Sequence, residues 1–176
     1  MAAITQMETV TGTRRRRQTA SSARTAVWLG MDDPRRAAAE GLVRRIYREA
    51  YGARIQAPDA PLMALLDDRN RARAALALRG ADSPFFLEQY LDGPVEWLLP
   101  PGQQRRGVVE VGGLAADFTG GSRCLVVALT GYLEAAGAEW VVFTARRSLR
   151  NTFARLGIDL LPLGEARPER LPGGAR

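Results

Sequence analysis

The stretch from Val108 to Ala145 constrains this chain more than any other. It reads VVEVGGLAADFTGGSRCLVVALTGYLEAAGAEWVVFTA, which is a β-branched apolar run, a Gly-rich break, an apolar run of helical length and a second β-branched run. Residues 108–116 and 139–145 are expected as buried strands, and 125–137 as a helix between them. That order points to an α/β fold in which helices cover a sheet. The break, DFTGGSRC, is the chemically suggestive part. Gly120 and Gly121 permit a tight loop with free amides, Ser122 adds a hydroxyl and Arg123 a fixed cation. Amides at a helix N-terminus attract anions, and a pyrophosphate or phosphopantetheine phosphate suits such a corner. An ordinary strand-to-helix turn needs the same glycines, so both readings stand. The chain has neither a GxxxxGK[ST] nor a GxGxxG motif, which disfavours an ATP-binding P-loop.

The rest of the chain fits the same class. TAVWLG at 25–30 reads as a strand. Asp32 or Asp33 before Pro34 reads as a helix start, and the following helix ends near Gly52. Its Leu42, Ile46 and Ala50 share one face, and the intervening Arg44, Arg45, Arg48 and Glu49 face outward. PLMALLDD, a tight polar turn and ARAALALRGA read as a β-hairpin. PFFLEQYLDG reads as a helix broken at Gly93-Pro94, SLRNTFARLGI as an amphipathic helix and DLLPLGEA as a last strand. The fold class is therefore α/β, an α+β mixed sheet in one domain over residues 25–168. Residues 1–24 read as a disordered Arg-rich arm and 169–176 as a flexible tail.

Missing residues exclude whole chemistries. The 176 residues contain no His and one Cys. His-based triads, His-ligated metals, multi-Cys clusters and internal disulfides are all excluded, and no metal is expected. Proton transfer falls to Glu, Asp, Tyr, Cys or water. All 25 basic residues are Arg, and five of them lie in residues 1–26 against a single Glu. The body is nearly neutral, which argues against nucleic acid as the partner. No 18-residue apolar run and no signal-type stretch occur, so the expectation is a cytoplasmic protein without a membrane role.

Three segments together carry a resemblance: FFLEQYLDGPVEWLL, VVEVGGLAA and EWVVFTARRSLRNTFARLGI. Over residues 40–166 the chain resembles the thermostable hemolysin family. Its element order is similar to the GNAT acyltransferases and the acyl-homoserine-lactone synthases. The resemblance implies a GNAT-like fold with a splayed central strand and a phosphate-binding loop. It implies an N-acyltransferase that moves an acyl group from a pantetheine thioester to a small-molecule amine in specialised metabolism. The donor would be acyl-CoA or the phosphopantetheine of an acyl carrier protein. Val111, Gly113 and Leu114 would receive the pantetheine arm, and Gly120, Gly121, Ser122, Arg123 and Cys124 the donor phosphates. The departures are a reduced loop, TGGSR, and Phe153 where such enzymes often carry a Tyr general acid.

Glu110, inside an apolar strand, is either a base facing a cleft or a solvent-face residue. Glu88 shares a helical face with Leu91 and Asp92 and sits beside Tyr90; these residues either line the acceptor pocket, or Tyr90 is core and Glu88 a helix-surface residue. These three are the catalytic candidates. Trp28, Arg79 and Arg146 are the substrate-binding candidates, although Arg79 and Glu96 could simply pair. Arg146, with Arg147 and Arg150, could receive a CoA 3′-phosphate or an acidic carrier protein. Cys124 is either an acyl-accepting thiol or a small buried residue. Trp97, Trp140 and Phe143 are expected in the core. A homodimer is compatible with all of this. The competing class is a GNAT-fold binding protein without turnover.

Overall fold

The computed structural model describes residues 2–6, 24–56, 58–145, 153 and 159–171. Among them, in chain order, are strands β1 (Ala2–Gln6) and β2 (Thr25–Leu29), helix α1 (Arg36–Tyr51), and strands β3 (Leu62–Leu66), β4 (Ala72–Arg79) and β5 (Val108–Ala116). Helix α2 (Gly121–Ala135) and strands β6 (Trp140–Thr144) and β7 (Leu161–Gly164) complete them. Their contacts form two compact units. One holds Glu8–Leu78 and Gly113–Glu134, and the other Met1–Met7, Arg79–Gly112 and Ala135–Arg176.

In the first unit β2, β3 and β4 form an antiparallel meander, with Trp28 opposite Met63 and Leu62 opposite Ala77. Leu29, Leu62, Ala64, Leu66, Ala75 and Ala77 point to one face and pack with Ala39 and Val43 of α1. Each of the larger side chains contributes about 1.5–3 kcal/mol by leaving water. The other face is buried as well, so β3 has no exposed position. That explains the unbroken apolar run, and the tight turn at Asp67–Arg71 makes the predicted hairpin. Asp67 organises this turn by accepting the N–H of Arg69 at 3.0 Å and of Arg71 at 2.9 Å. Asp33 accepts the Arg35 N–H at 2.9 Å, and α1 starts at Arg36, later than Pro34 had suggested. Ala50 is exposed, so the apolar face of α1 stops short of it.

In the other unit β5 runs parallel to β6 from Val108↔Trp140 to Val111↔Phe143. β1 lies antiparallel to both β6 and β7, so the sheet is mixed. Phe85, Leu87, Val95, Leu99, Val108, Trp140 and Val142 form its core. The strand β1 corrects the expected arm: residues 2–6 are ordered by backbone pairing on both sides. Residues 7–23 and most of the expected helix at 148–158 lie outside the described residues, although Phe153 is helical. Residues 168–170 form a 3-10 turn where a frayed tail was expected.

A second correction concerns PFFLEQYLDG. It forms only a 3-10 turn, Phe86–Tyr90, followed by another at Val95–Leu98. Leu91 and Asp92 fall beyond the first turn, so the shared helical face with Glu88 does not exist.

Candidate active site

Period two along β5 puts Glu110 on the same face as Val108, inside the core. Glu110 is 3% exposed. One of its oxygens accepts the Phe86 N–H at 2.6 Å and the Arg79 guanidinium at 3.4 Å; the other accepts the Leu87 N–H at 2.8 Å. The carboxylate thus fixes the start of the 3-10 turn. Burial pushes its carboxyl up, against the opposing effect of the two amides and Arg79. Arg79 therefore pairs with Glu110, and Glu96 pairs instead with Arg105 at 3.1 Å.

Glu88 is a second fixed point. It accepts the N–H groups of Phe85 and Val95, each at 3.0 Å, and two bonds from Arg105 at 2.6 and 3.0 Å. Burial raises its carboxyl, but Arg105 and the two amides outweigh burial and hold it below the ordinary value of 4.5. A lowered carboxyl supports the fold above 4.5, and that support is lost as pH falls. Glu88→Gln is accordingly expected to be less stable than the parent at pH 7 but to lose less stability on acidification. Thermal melts from about pH 3 to pH 7 check this, and parallel curves would refute it.

Tyr90 is half-buried. Burial, then the Glu110 charge, pushes its phenol up, so it remains protonated at neutral pH. Its ring meets Phe86 edge-on with centroids 5.9 Å apart. Arg105 is the residue that sequence reasoning missed. Its guanidinium also donates to the carbonyls of Ala81 and Ser83, both at 3.2 Å, and lies 4.2 Å over the Phe85 ring. Nothing in the run QQRRG announces these contacts across up to 24 residues.

The segment from β5 into α2 carries the candidate donor residues. Parallel pairing to β6 ends at Val111, and β5 continues through Gly112 to Ala116. Gly113 takes φ +62° within it, a left-handed residue that breaks the pleat as bulges do. Val111, Gly113 and Leu114 are all half-buried. Gly113→Ala would meet Pro58 and Val43 only at ordinary contact, 3.7 Å from its Cβ, but lacks the conformation, and is expected to cost about 1–3 kcal/mol in urea unfolding. After Asp117 the chain turns through Gly120, and α2 begins at Gly121, four residues earlier than expected. The Gly121 N–H bonds Phe118 O at 3.1 Å, and the Cys124 N–H bonds Gly120 O at 3.0 Å. The N–H groups of Ser122 and Arg123 therefore have no acceptor within the helix and stand at its open end. Gly121 itself has no room for a side chain: a Cβ would lie 2.7 Å from Ala116 and from the Phe118 ring. Ser122, Arg123 and Cys124 are exposed, so the thiol is not the small buried residue weighed above. Two free amides beside an exposed guanidinium fit a phosphate.

Trp28 packs against Tyr132 of α2 with ring centroids 4.4 Å apart and is 37% exposed. Trp140 and Phe143 are buried as expected, whereas Trp97 is 75% exposed, not core. Arg146 lies outside the described residues. Among the described residues no group of His, Cys, Asp or Glu is placed to hold a metal, and no helix is long and apolar enough to cross a membrane.

The family model described as Thermostable hemolysin matches residues 29–176. The chain belongs to the thermostable hemolysin family. No curated protein matches this family member significantly. Among solved structures it is similar to TofI in a ternary complex with an inhibitor and MTA, at 18% identity and TM-score 0.57, covering 80% of this chain and 82% of that one. TofI in an apo form matches at 20% identity and TM-score 0.56, with the same coverage. A protein from Lactobacillus plantarum assigned as an N-acetyltransferase matches at 14% identity and TM-score 0.54, covering 77% of this chain and 84% of that one. These likenesses show that this member of the family has a GNAT-like fold.

Proposed function

We propose that this chain is an N-acyltransferase that passes an acyl group from a pantetheine thioester to a small-molecule amine. The observation that carries the proposal is the succession on one stretch of chain: β5 leaving β6 after Val111, left-handed Gly113, and a helix start with two free amides and Arg123. The amides of Ser122 and Arg123 and the Arg123 guanidinium would hold donor phosphate. Val111, Gly113 and Leu114 would flank the pantetheine arm. Tyr90, kept protonated, is a candidate proton donor within its own unit. Glu110 and Glu88 would act as positioning residues, because their oxygens already hold backbone amides. Arg79 is assigned with Glu110, and Trp28 to the surface beside α2.

The donor is acyl-CoA or an acyl carrier protein, and direct binding separates them. Acetyl-CoA or an acylated carrier protein should raise the melting temperature and support transfer to an amine. No shift and no transfer with either donor would overturn the proposal. Arg123→Ala should weaken donor binding about ten-fold, near the worth of one charge-assisted hydrogen bond, with an unchanged melting temperature of the free protein. Titration calorimetry checks it.

Full engagement of Glu110 favours one second reading, a binding protein that holds the thioester without turnover. It predicts saturable donor binding with no acyl transfer to any amine.

A further inference from the structure

The family segment LEQYLDGPVEWLL does more than close the core. Its backbone is fastened on both sides of Trp97. The Val95 N–H bonds Glu88 at 3.0 Å, the Trp97 N–H bonds Pro94 O at 3.1 Å, and Glu96 pairs with Arg105. Val95 is fully buried and Leu99 nearly so. Between these anchors the indole of Trp97 is left 75% exposed. It is also held in place from below. A Cβ at position 93 would lie 2.6–2.7 Å from the six-membered ring of Trp97, so the indole fills the space that any side chain there would need. Gly93 is thus required by close approach.

Trp97 forms one wall of an open pocket of about 380 Å³. Tyr90, Leu91, Pro94, Leu98 and Leu163 line the rest of its apolar surface. This volume falls in the range of small-molecule sites, about 300–1,000 Å³. The charges at its rim are mutually satisfied. Asp92 pairs with Arg170 at 2.7 Å and Glu165 with Arg167 at 3.1 Å, so the lining presents no net charge to a ligand. Arg170 also donates to Tyr90 O at 3.0 Å, which ties the rim to the aromatic wall.

We infer that this pocket binds a neutral planar aromatic ring, stacked against the Trp97 indole. An exposed indole lining an apolar pocket is worth most to a flat ring, because stacking adds to simple burial. A charged ligand would have to break one of the rim pairs. The inference does not depend on acyl transfer.

The test uses two neutral probes of equal carbon skeleton, flat 2-naphthol and puckered decahydro-2-naphthol, by equilibrium dialysis against the full chain. The flat probe should bind saturably, and at least about five-fold more tightly than the puckered one. Trp97→Ala should weaken the flat probe at least about ten-fold, and Trp97→Phe less than about three-fold. Gly93→Val, which displaces the indole, should behave like Trp97→Ala. Absence of saturable binding, equal affinity for the two probes, or unchanged binding in Trp97→Ala would each overturn the inference. No thioester is present in this assay, so its failure leaves the acyl-transfer proposal standing, and failure of acyl transfer leaves the pocket standing.

Discussion

Glu110→Ala is expected to lower the free energy of unfolding by about 3–5 kcal/mol. The carboxylate is 3% exposed and serves three donors: the amides of Phe86 and Leu87 and the guanidinium of Arg79. Truncation leaves two backbone amides without an acceptor inside the core, and each such group costs about 1–3 kcal/mol. It also leaves Arg79 unpaired at 18% side-chain exposure. Glu110→Gln retains one carbonyl oxygen but turns an NH₂ toward an amide, so about half the loss is expected. Arg79→Met should cost less than either, because the two amides keep their acceptor. Urea unfolding of the three variants gives the ranking. If Glu110→Ala cost under about 1 kcal/mol, the carboxylate would not be fixing the 3-10 turn. The same series bears on mechanism. A positioning role predicts that Glu110→Gln lowers the transfer rate without moving the pH profile, whereas a base would take its limb of the profile with it.

Part of this was legible beforehand. The hairpin, β2, α1, β5 and β6 all follow from local apolar pattern, which a short window of sequence contains. A lone Glu within VVEVGG was visibly out of place and proved to be buried. Its partners were not readable, because Phe86, Leu87 and Arg79 lie 23–31 residues away. The 3-10 turn at Phe86–Tyr90 was misread for a related reason. Its composition allows an α-helix, and Glu88 caps the start through the Phe85 N–H, but Gly93-Pro94 breaks the chain soon after and Glu88 also holds the Val95 N–H beyond the break. β1 was hidden by averaging: five strand residues were judged with a polar, Arg-rich neighbourhood, while their order comes from strands more than 130 residues away. The loop residues Gly120–Arg123 were found from the Gly pair alone. The early start of α2 was not, since Gly121 is a poor helix former and is there because only hydrogen fits beside Ala116 and Phe118.

Arg105→Met is expected to cost about 3 kcal/mol and to weaken the acid sensitivity of this region. The guanidinium joins Glu88 and Glu96 and the carbonyls of Ala81 and Ser83, and it covers the Phe85 ring. Met preserves much of the apolar contact with Phe85 but removes the charge. Two carboxylates then face each other without a cation. In the parent, Arg105 heads the effects that hold Glu88 below its ordinary value despite burial. Without it, burial is opposed only by the amides of Val95 and Phe85, so the Glu88 carboxyl should move up from its place in the parent. The support that Glu88 gives the fold above 4.5 then shrinks, so the variant should lose less stability than the parent as pH falls. Melting curves of both proteins should therefore converge on acidification. Curves that stay equally separated down to about pH 3.5 would show that Arg105 acts through packing on Phe85 and the two carbonyls, not through Glu88. The same anchor fixes the backbone beside Trp97, so Arg105→Met should also loosen the indole and weaken 2-naphthol binding without altering any residue that lines the pocket.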